Sequence, residues 1–200
     1  ASKIRLQMNL GEEDYVISNL RDAKLQTLLA NTKAKVLHFT SDPIAKWTPA
    51  AVEKFQGAYL APASSLQLKA SRWKDHLYPV AESSLRGIHN RENMMAALLA
   101  AKLAGISNEA IQKSLTSFKP LPHRMEFVGR KNSVFFYNDS KGTNVHSLMR
   151  SLESFNEPVI LIAGGRDKGE DYVPLAPSIR RHVKNLILVG EAKEKLNRAI

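Results

Sequence analysis

The run Val134-Phe135-Phe136-Tyr137 is wholly apolar, rich in β-formers, and followed at once by the polar cluster Asn138-Asp139-Ser140-Lys141-Gly142-Thr143-Asn144. A short apolar run bounded in this way reads as a strand buried on both faces, with the cluster at its carboxyl end. Val145, Leu148, Met149, Leu152 and Phe155 then recur at helical spacing, and Pro158 closes that helix before a second apolar run, Val159-Ile160-Leu161-Ile162. Strand, helix and strand of these lengths predict a right-handed parallel βαβ unit, and such sheets bind ligands outside the carboxyl ends of their strands. Asp139, Lys141 and Lys168 are therefore expected to face one crevice.

The same alternation extends in both directions. Upstream, Tyr15-Val16-Ile17 and Val36-Leu37-His38-Phe39 read as strands with a helix over Ala23 to Ala30 between them, and Gly57 to Leu60 and Leu66 to Lys69 read as further sheet. Asn90 to Leu103 is strongly helical, with Met94, Met95, Leu98 and Leu99 among alanines and Gly105 as its cap. A second helix follows, capped by Ser107 and striped by Ile111 and Leu115. Lys119-Pro120-Leu121-Pro122 cannot continue a helix and makes the best linker, so the domain boundary falls there. Beyond it, Met125 to Val128 and the Val134 run read as neighbouring strands joined through Gly129-Arg130-Lys131-Asn132. Leu186-Ile187-Leu188-Val189 is a third parallel strand, ending at Gly190 before a basic amphipathic helix. A sheet of this type continues in most proteins, so the second domain is expected to be incomplete.

Composition narrows the class of chemistry. In 200 residues, 44% apolar and 24% charged content describe an ordinary globular chain with a real core. There is no cysteine, and the six histidines show no HExxH spacing, which argues against a disulfide framework or a structural zinc. No run approaches membrane-spanning length and the amino terminus lacks a signal-peptide core, so the expected location is cytoplasmic. The net charge of +10 suits small anionic substrates. Nucleic acid is not the expected partner, because the basic residues are spread out and the two tryptophans are not interleaved with them.

Each polar cluster has a structural and a chemical reading. Asp139 after a strand suits the paired hydroxyls of a ribose, and equally caps a helix. Lys141, Thr143 and Asn144 lie at a helix start, where free N–H groups favour phosphate or carboxylate; a cap accounts for Thr143 or Asn144 but not for Lys141. Gly164-Gly165-Arg166-Asp167-Lys168-Gly169 follows a strand directly, and its glycines let the backbone approach a ligand or simply turn. Neither GxxxxGK[ST] nor GxGxxG occurs in the chain. His89, Asn90 and Asn93 open the long helix; asparagine there is a standard cap, and its amide also matches an adenine edge.

Taken together, Gly87-Ile88-His89-Asn90-Arg91-Glu92-Asn93, Leu121-Pro122-His123-Arg124-Met125-Glu126, Asn138 to Asn144 and Gly164 to Tyr172 resemble, in order and in combination, the motifs of the Mur ligase family. The match is strong over about residues 85–175, and the Asn-Asp-Ser-Lys cluster points to the branch that adds D-glutamate. One departure is Gly142, where the family usually has alanine. The resemblance implies an α/β protein in which residues 1–118 are the rear part of a central ATP-binding domain. Residues 119–200 would be a truncated, Rossmann-like parallel-sheet domain that brings the amino acid. It implies an ATP- and magnesium-dependent ligase of peptidoglycan synthesis, serving cell-wall biogenesis, cell shape and division. The carboxylate of UDP-N-acetylmuramoyl-L-alanine would take the γ-phosphate to give an acyl phosphate, which the amine of D-glutamate displaces.

By residue match, Asn90 and Asn93 would contact adenine, Arg124 the phosphate side and Asp139 the ribose, while Lys141, Thr143 and Lys168 would serve the amino acid and nearby phosphate. Lys141 and Arg124 would act catalytically. The family's phosphate-binding loop and metal ligands are expected outside these residues, which are therefore expected to be inactive alone; the partners are small molecules and the expected state is a monomer. Another Mur-type ligase, a folylpolyglutamate synthase and a non-catalytic nucleotide-binding module are the competing readings.

Overall fold

The computed structural model describes Arg5 and residues 8–200. The chain forms two compact units that divide between Phe118 and Lys119. The first contains β1 (Tyr15–Asn19), α1 (Ala23–Leu29), β2 (Lys35–Thr40), α2 (Pro49–Lys54), β3 (Gly57–Ala61), β4 (Ser65–Ala70), β5 (Trp73–Pro79), α3 (Ile88–Leu103) and α4 (Asn108–Ser117). Its five strands form one sheet in sequence order, parallel through β1, β2 and β3 and antiparallel through β4 and β5. The helical spacing in α3 puts Met94, Met95, Leu98 and Leu99 on one buried face, which packs across β1, β2 and β3. Leu37, Ala58, Leu66, Leu68 and Tyr78 from the sheet complete this core with Ile111 and Leu115 of α4. The buried Tyr78 hydroxyl donates to Asn108 Oδ1 at 2.8 Å, and burial raises its pKa to about 12.

His38 makes the stability of this unit depend on pH. Its Nδ1 is buried without a hydrogen-bond partner among the described residues, and burial lowers its pKa below the ordinary histidine value. The unfolded chain therefore binds the proton more readily than the folded one. The stabilising contribution is complete above about pH 6.5 and is lost as pH falls from there through the lower folded-state pKa. Melting scans between pH 7.5 and 5 are expected to show a falling midpoint, and His38→Gln is expected to flatten that slope. An identical slope in the variant would remove His38 as its source.

The second unit contains β6 (Glu126–Lys131), β7 (Val134–Asn138), α5 (Val145–Leu152), β8 (Val159–Gly164), α6 (Ala176–His182), β9 (Val183–Val189) and α7 (Lys193–Ala199). The parallel pair β8–β9 carries its core on one face, where Leu161, Leu186 and Leu188 pack with Leu152, Leu175, Ile179 and Leu196. The alternate residues Ile160 and Ile162 lie on the other face and are exposed.

Three expectations are corrected here. The Val134 run is not buried on both faces: Phe135 and Phe136 are 54% and 51% exposed, and β7 is one strand of an antiparallel hairpin with β6. Aromatic contacts of Phe127 with Phe135 and Tyr137, and of Tyr137 with Phe155, stabilise that ribbon instead. Accordingly β7 and β8 are not hydrogen-bonded to each other; the parallel pair is β8 with β9. The hairpin turns at Asn132 and Ser133, both in the left-handed region with φ of 47° and 65°, as a two-residue primed turn requires. Gly129 sits inside β6 beside a bulge rather than in the connection. No helix among the described residues is long and apolar enough to cross a membrane.

Candidate functional site

In the first unit, Asn90 and Asn93 lie in the opening turns of α3. Asn90 Nδ2 donates to the Arg86 carbonyl at 2.6 Å, leaving its carbonyl oxygen and second N–H available, and Asn93 is exposed. Glu92, between them, ties the helix to the carboxyl ends of β1 and β2. Its carboxylate accepts from Ser41 Oγ at 2.6 Å, Arg21 Nη1 at 3.2 Å and Asn19 Nδ2 at 3.3 Å, and Arg21 also pairs with Asp42 at 3.3 Å. The start of α3 is thus held by charge-assisted bonds as well as by its apolar face.

In the second unit the turn Pro122-His123-Arg124 and the cluster after β7 are bonded together. Lys141 N donates to the His123 carbonyl at 3.0 Å, Met125 N to Asp139 Oδ1 at 3.0 Å, and Asn138 Nδ2 lies 2.8 Å from His123 Nδ1. His123 and Met125 adopt positive φ, which carries the exposed Arg124 round a tight turn beside Asp139. Asp139 is half-buried, and its second oxygen accepts from Ser151 Oγ at 2.5 Å. A carboxylate has about four lone-pair sites, so two of them stay available for a pair of hydroxyls. A Cβ at Gly142 would lie 2.8 Å from Asp139 Oδ2, so an alanine there would ask the carboxylate to shift slightly.

The glycine-rich loop is joined to the same place. Glu170 Oε2 accepts from Val145 N at 2.8 Å, and Asn144 caps α5 by accepting from Ser147 N at 2.8 Å. The loop starts where β8 and β9 come too close for any side chain, since a Cβ on Gly164 would meet the Val189 carbonyl at 1.9 Å. Within the loop, Asp167 accepts from Gly169 N at 2.9 Å and Tyr172 Oη at 3.2 Å, and pairs with Lys195 at 3.5 Å. The Gly169 N–H, with Lys195 nearby, holds the Asp167 carboxyl below its usual range; desolvation, with Asp167 beside it, pushes the Tyr172 hydroxyl up. Lys141, Thr143 and Lys168 are exposed on these joined loops. An exposed cation beside a helix amino terminus is electrostatically unfavourable unless an anion is bound there, so the arrangement suits a small anionic ligand.

Residues 123–200 match the family described as "Mur ligase, glutamate ligase domain". The whole chain is 39% identical to a UDP-N-acetylmuramoylalanine--D-glutamate ligase of Geotalea uraniireducens and covers 42% of that protein. The chain belongs to the Mur ligase family. Over 114 residues, 57% of the chain, it is 55% identical to the ligase of the same name from Bdellovibrio bacteriovorus, covering 25% of that protein. This Mur ligase chain thus spans about two-fifths of the length of the curated relatives that match it throughout. Its fold is that of solved Mur ligases. MurF from Acinetobacter baumannii is similar at a TM-score of 0.66 and 17% identity, over 92% of this chain and 40% of that one. MurF from Thermotoga maritima, solved in complex with ADP, is similar at a TM-score of 0.59 and 13% identity, over 98% of this chain and 48% of that one.

Reading the sequence assigns no role to Glu92 in the first unit of this Mur ligase chain, or to Ser151 and Glu170 in the second. Each acts across 12 residues or more, where no local pattern signals a partner. Glu92 stands next to Asn93, and Glu170 follows Lys168-Gly169, so the only signal for either is its place beside a candidate site residue.

Proposed function

We propose that this chain is the amino-acid-receiving part of an ATP-dependent, amide-forming ligase that joins D-glutamate to UDP-N-acetylmuramoyl-L-alanine in peptidoglycan synthesis. The observation that carries this reading is the joining of the Arg124 turn, the Asp139 cluster and the Lys168 loop around the start of α5 in a chain 39% identical to a relative of that name. ATP supplies the phosphoryl group that activates the acceptor carboxylate. In this reading Asp139 accepts from the ribose hydroxyls with the lone pairs that Met125 and Ser151 leave free, and Asn90 and Asn93 offer their amides to the adenine edge. Arg124 presents a planar fork of donors to phosphate oxygens.

Lys141 and Lys168 are point charges for the carboxylates of D-glutamate and for charge that develops on the nearby phosphate, with Thr143 donating its hydroxyl. In a site that excludes water those attractions strengthen severalfold. Holding the amine against an activated carboxyl turns a bimolecular step into an effectively unimolecular one. Among the described residues no group of three or more His, Asp or Glu is placed to hold a metal ion.

The test uses the protein that carries this chain. With ATP, magnesium and UDP-N-acetylmuramoyl-L-alanine, ADP release is expected to depend on D-glutamate and to yield the D-glutamyl product. Turnover with a folate and L-glutamate, or with a different muramoyl peptide and amino acid, in place of these would overturn the assignment. The 200 residues alone contain no GxxxxGK[ST] stretch to cradle a triphosphate and are expected to form no product.

A further inference from the structure

Glu170 closes the glycine-rich loop, and its carboxylate is committed at a distance. It accepts the N–H of Val145, the first residue of α5, twenty-five positions earlier in the chain, in a half-buried bond of 2.8 Å. That N–H is one of the few at a helix start with no acceptor inside the helix, and the positive end of the helix favours a carboxylate there. Asn144 serves the same helix as a local cap, so the end is already provided for within its own segment. Glu170 is a tertiary clasp added to it.

The clasp acts on the far end of the loop, beyond the residues that the strand end anchors. Gly164 and Gly165 are tied to the end of β9 by the β8–β9 ladder and a backbone bond, but Gly169, next to Lys168, has positive φ and no packing neighbour at its Cβ position. Asp167 fixes the near side of Lys168 by its bonds to Gly169, Tyr172 and Lys195. Glu170 fixes the far side against the segment that begins with Lys141 and Thr143. We propose that Glu170 is a positioning residue: it holds Lys168 at a set spacing from Lys141 and Thr143, so that the three receive the carboxylates of one dicarboxylic amino acid. Direct contact with substrate is not its role, because a second carboxylate would repel that anion and its own oxygen is already engaged. The inference rests on the reading that Lys141, Thr143 and Lys168 receive D-glutamate.

Four variants of the protein that carries this chain test it: Glu170→Ala, Glu170→Gln, Lys168→Ala, and Lys168→Ala with Glu170→Ala. Glu170→Ala is expected to raise the KM for D-glutamate about tenfold, as misplacing a positioned group does, with the KM for ATP unchanged. Glu170→Gln keeps an oxygen for the Val145 N–H and is expected to restore near-parental kinetics. The double variant is expected to be no worse than Lys168→Ala, because Glu170 acts through that lysine. A Gln variant as impaired as the Ala variant, an additive double variant, or an unmoved KM in Glu170→Ala would each overturn the role. Amide exchange reads the clasp without catalysis: Val145 N–H is expected to exchange faster in Glu170→Ala and at the parental rate in Glu170→Gln. Unchanged exchange in Glu170→Ala sinks the clasp itself. Faster exchange together with a D-glutamate KM indifferent to Lys168→Ala sinks the substrate reading, and the positioning role with it.

Discussion

Lys168→Ala in the protein that carries this chain is expected to raise the KM for D-glutamate by roughly ten- to hundredfold, equivalent to a charged hydrogen bond of about 1.5–3 kcal/mol. Lys168 is exposed, yet the loop that bears it is held at both sides, by Asp167 and by Glu170. An exposed lysine in an ordinary turn has no such support, and its loss changes stability or activity by under about 0.5 kcal/mol. Restraining a flexible glycine-containing loop costs entropy, which a site recovers by not having to order the lysine when substrate arrives. The KM for ATP is expected to move by less than twofold or so, because the ammonium's partner is the amino acid. Steady-state kinetics that vary each substrate in turn decide the matter. An unaltered D-glutamate KM would leave this lysine a surface residue and would move the amino acid away from the loop.

Asp139→Ala is expected to have two separable effects. Loss of the acceptor for ribose hydroxyls weakens ATP binding by about 1.5–3 kcal/mol, a KM increase of roughly ten- to hundredfold, with D-glutamate less affected. Loss of the bonds from Met125 N and Ser151 Oγ unties the Arg124 turn from α5 and leaves two donors unmatched, which costs a further 1–3 kcal/mol or so of stability. Ser151→Ala separates the two, since it removes one internal partner and leaves the carboxylate in place. It is expected to lower the melting midpoint by a few degrees with little change in the KM for ATP. Should Asp139→Ala lower the midpoint while the KM for ATP and kcat stay at parental values, Asp139 is a structural tie and the ribose contact is wrong.

The fold was legible where the signal is local. Helical spacing of Met94, Met95, Leu98 and Leu99 identifies α3 and the face it buries, and Ser107 caps α4 by accepting from Ala110 N as its position suggests. Residues 186–189 form a strand parallel to β8 as their apolar content and spacing suggest. The β7 run shows where such reasoning stops. Continuous apolar character indicates a strand, but it does not encode the partner, and hydrogen bonding to β6 makes it half of a hairpin with Phe135 and Phe136 exposed. The turn itself carries a local signal, because Asn132 adopts a left-handed conformation that asparagine tolerates better than most residues.

Which residues could carry chemistry is legible along the chain, because glycines, asparagines, lysines and acids at the ends of apolar runs mark helix starts and loops within a few positions of themselves. How those residues are held is settled by packing. The bonds from Met125 N and Ser151 to Asp139, from Lys141 N to the His123 carbonyl, and from Val145 N to Glu170 span twelve to twenty-five residues. Hydrogen bonds are short and directional, so a pair that distant in the chain meets only after the intervening helix and strands have packed. Whether Asp139 faces a ligand or its own helix depends on that packing, which no spacing rule contains.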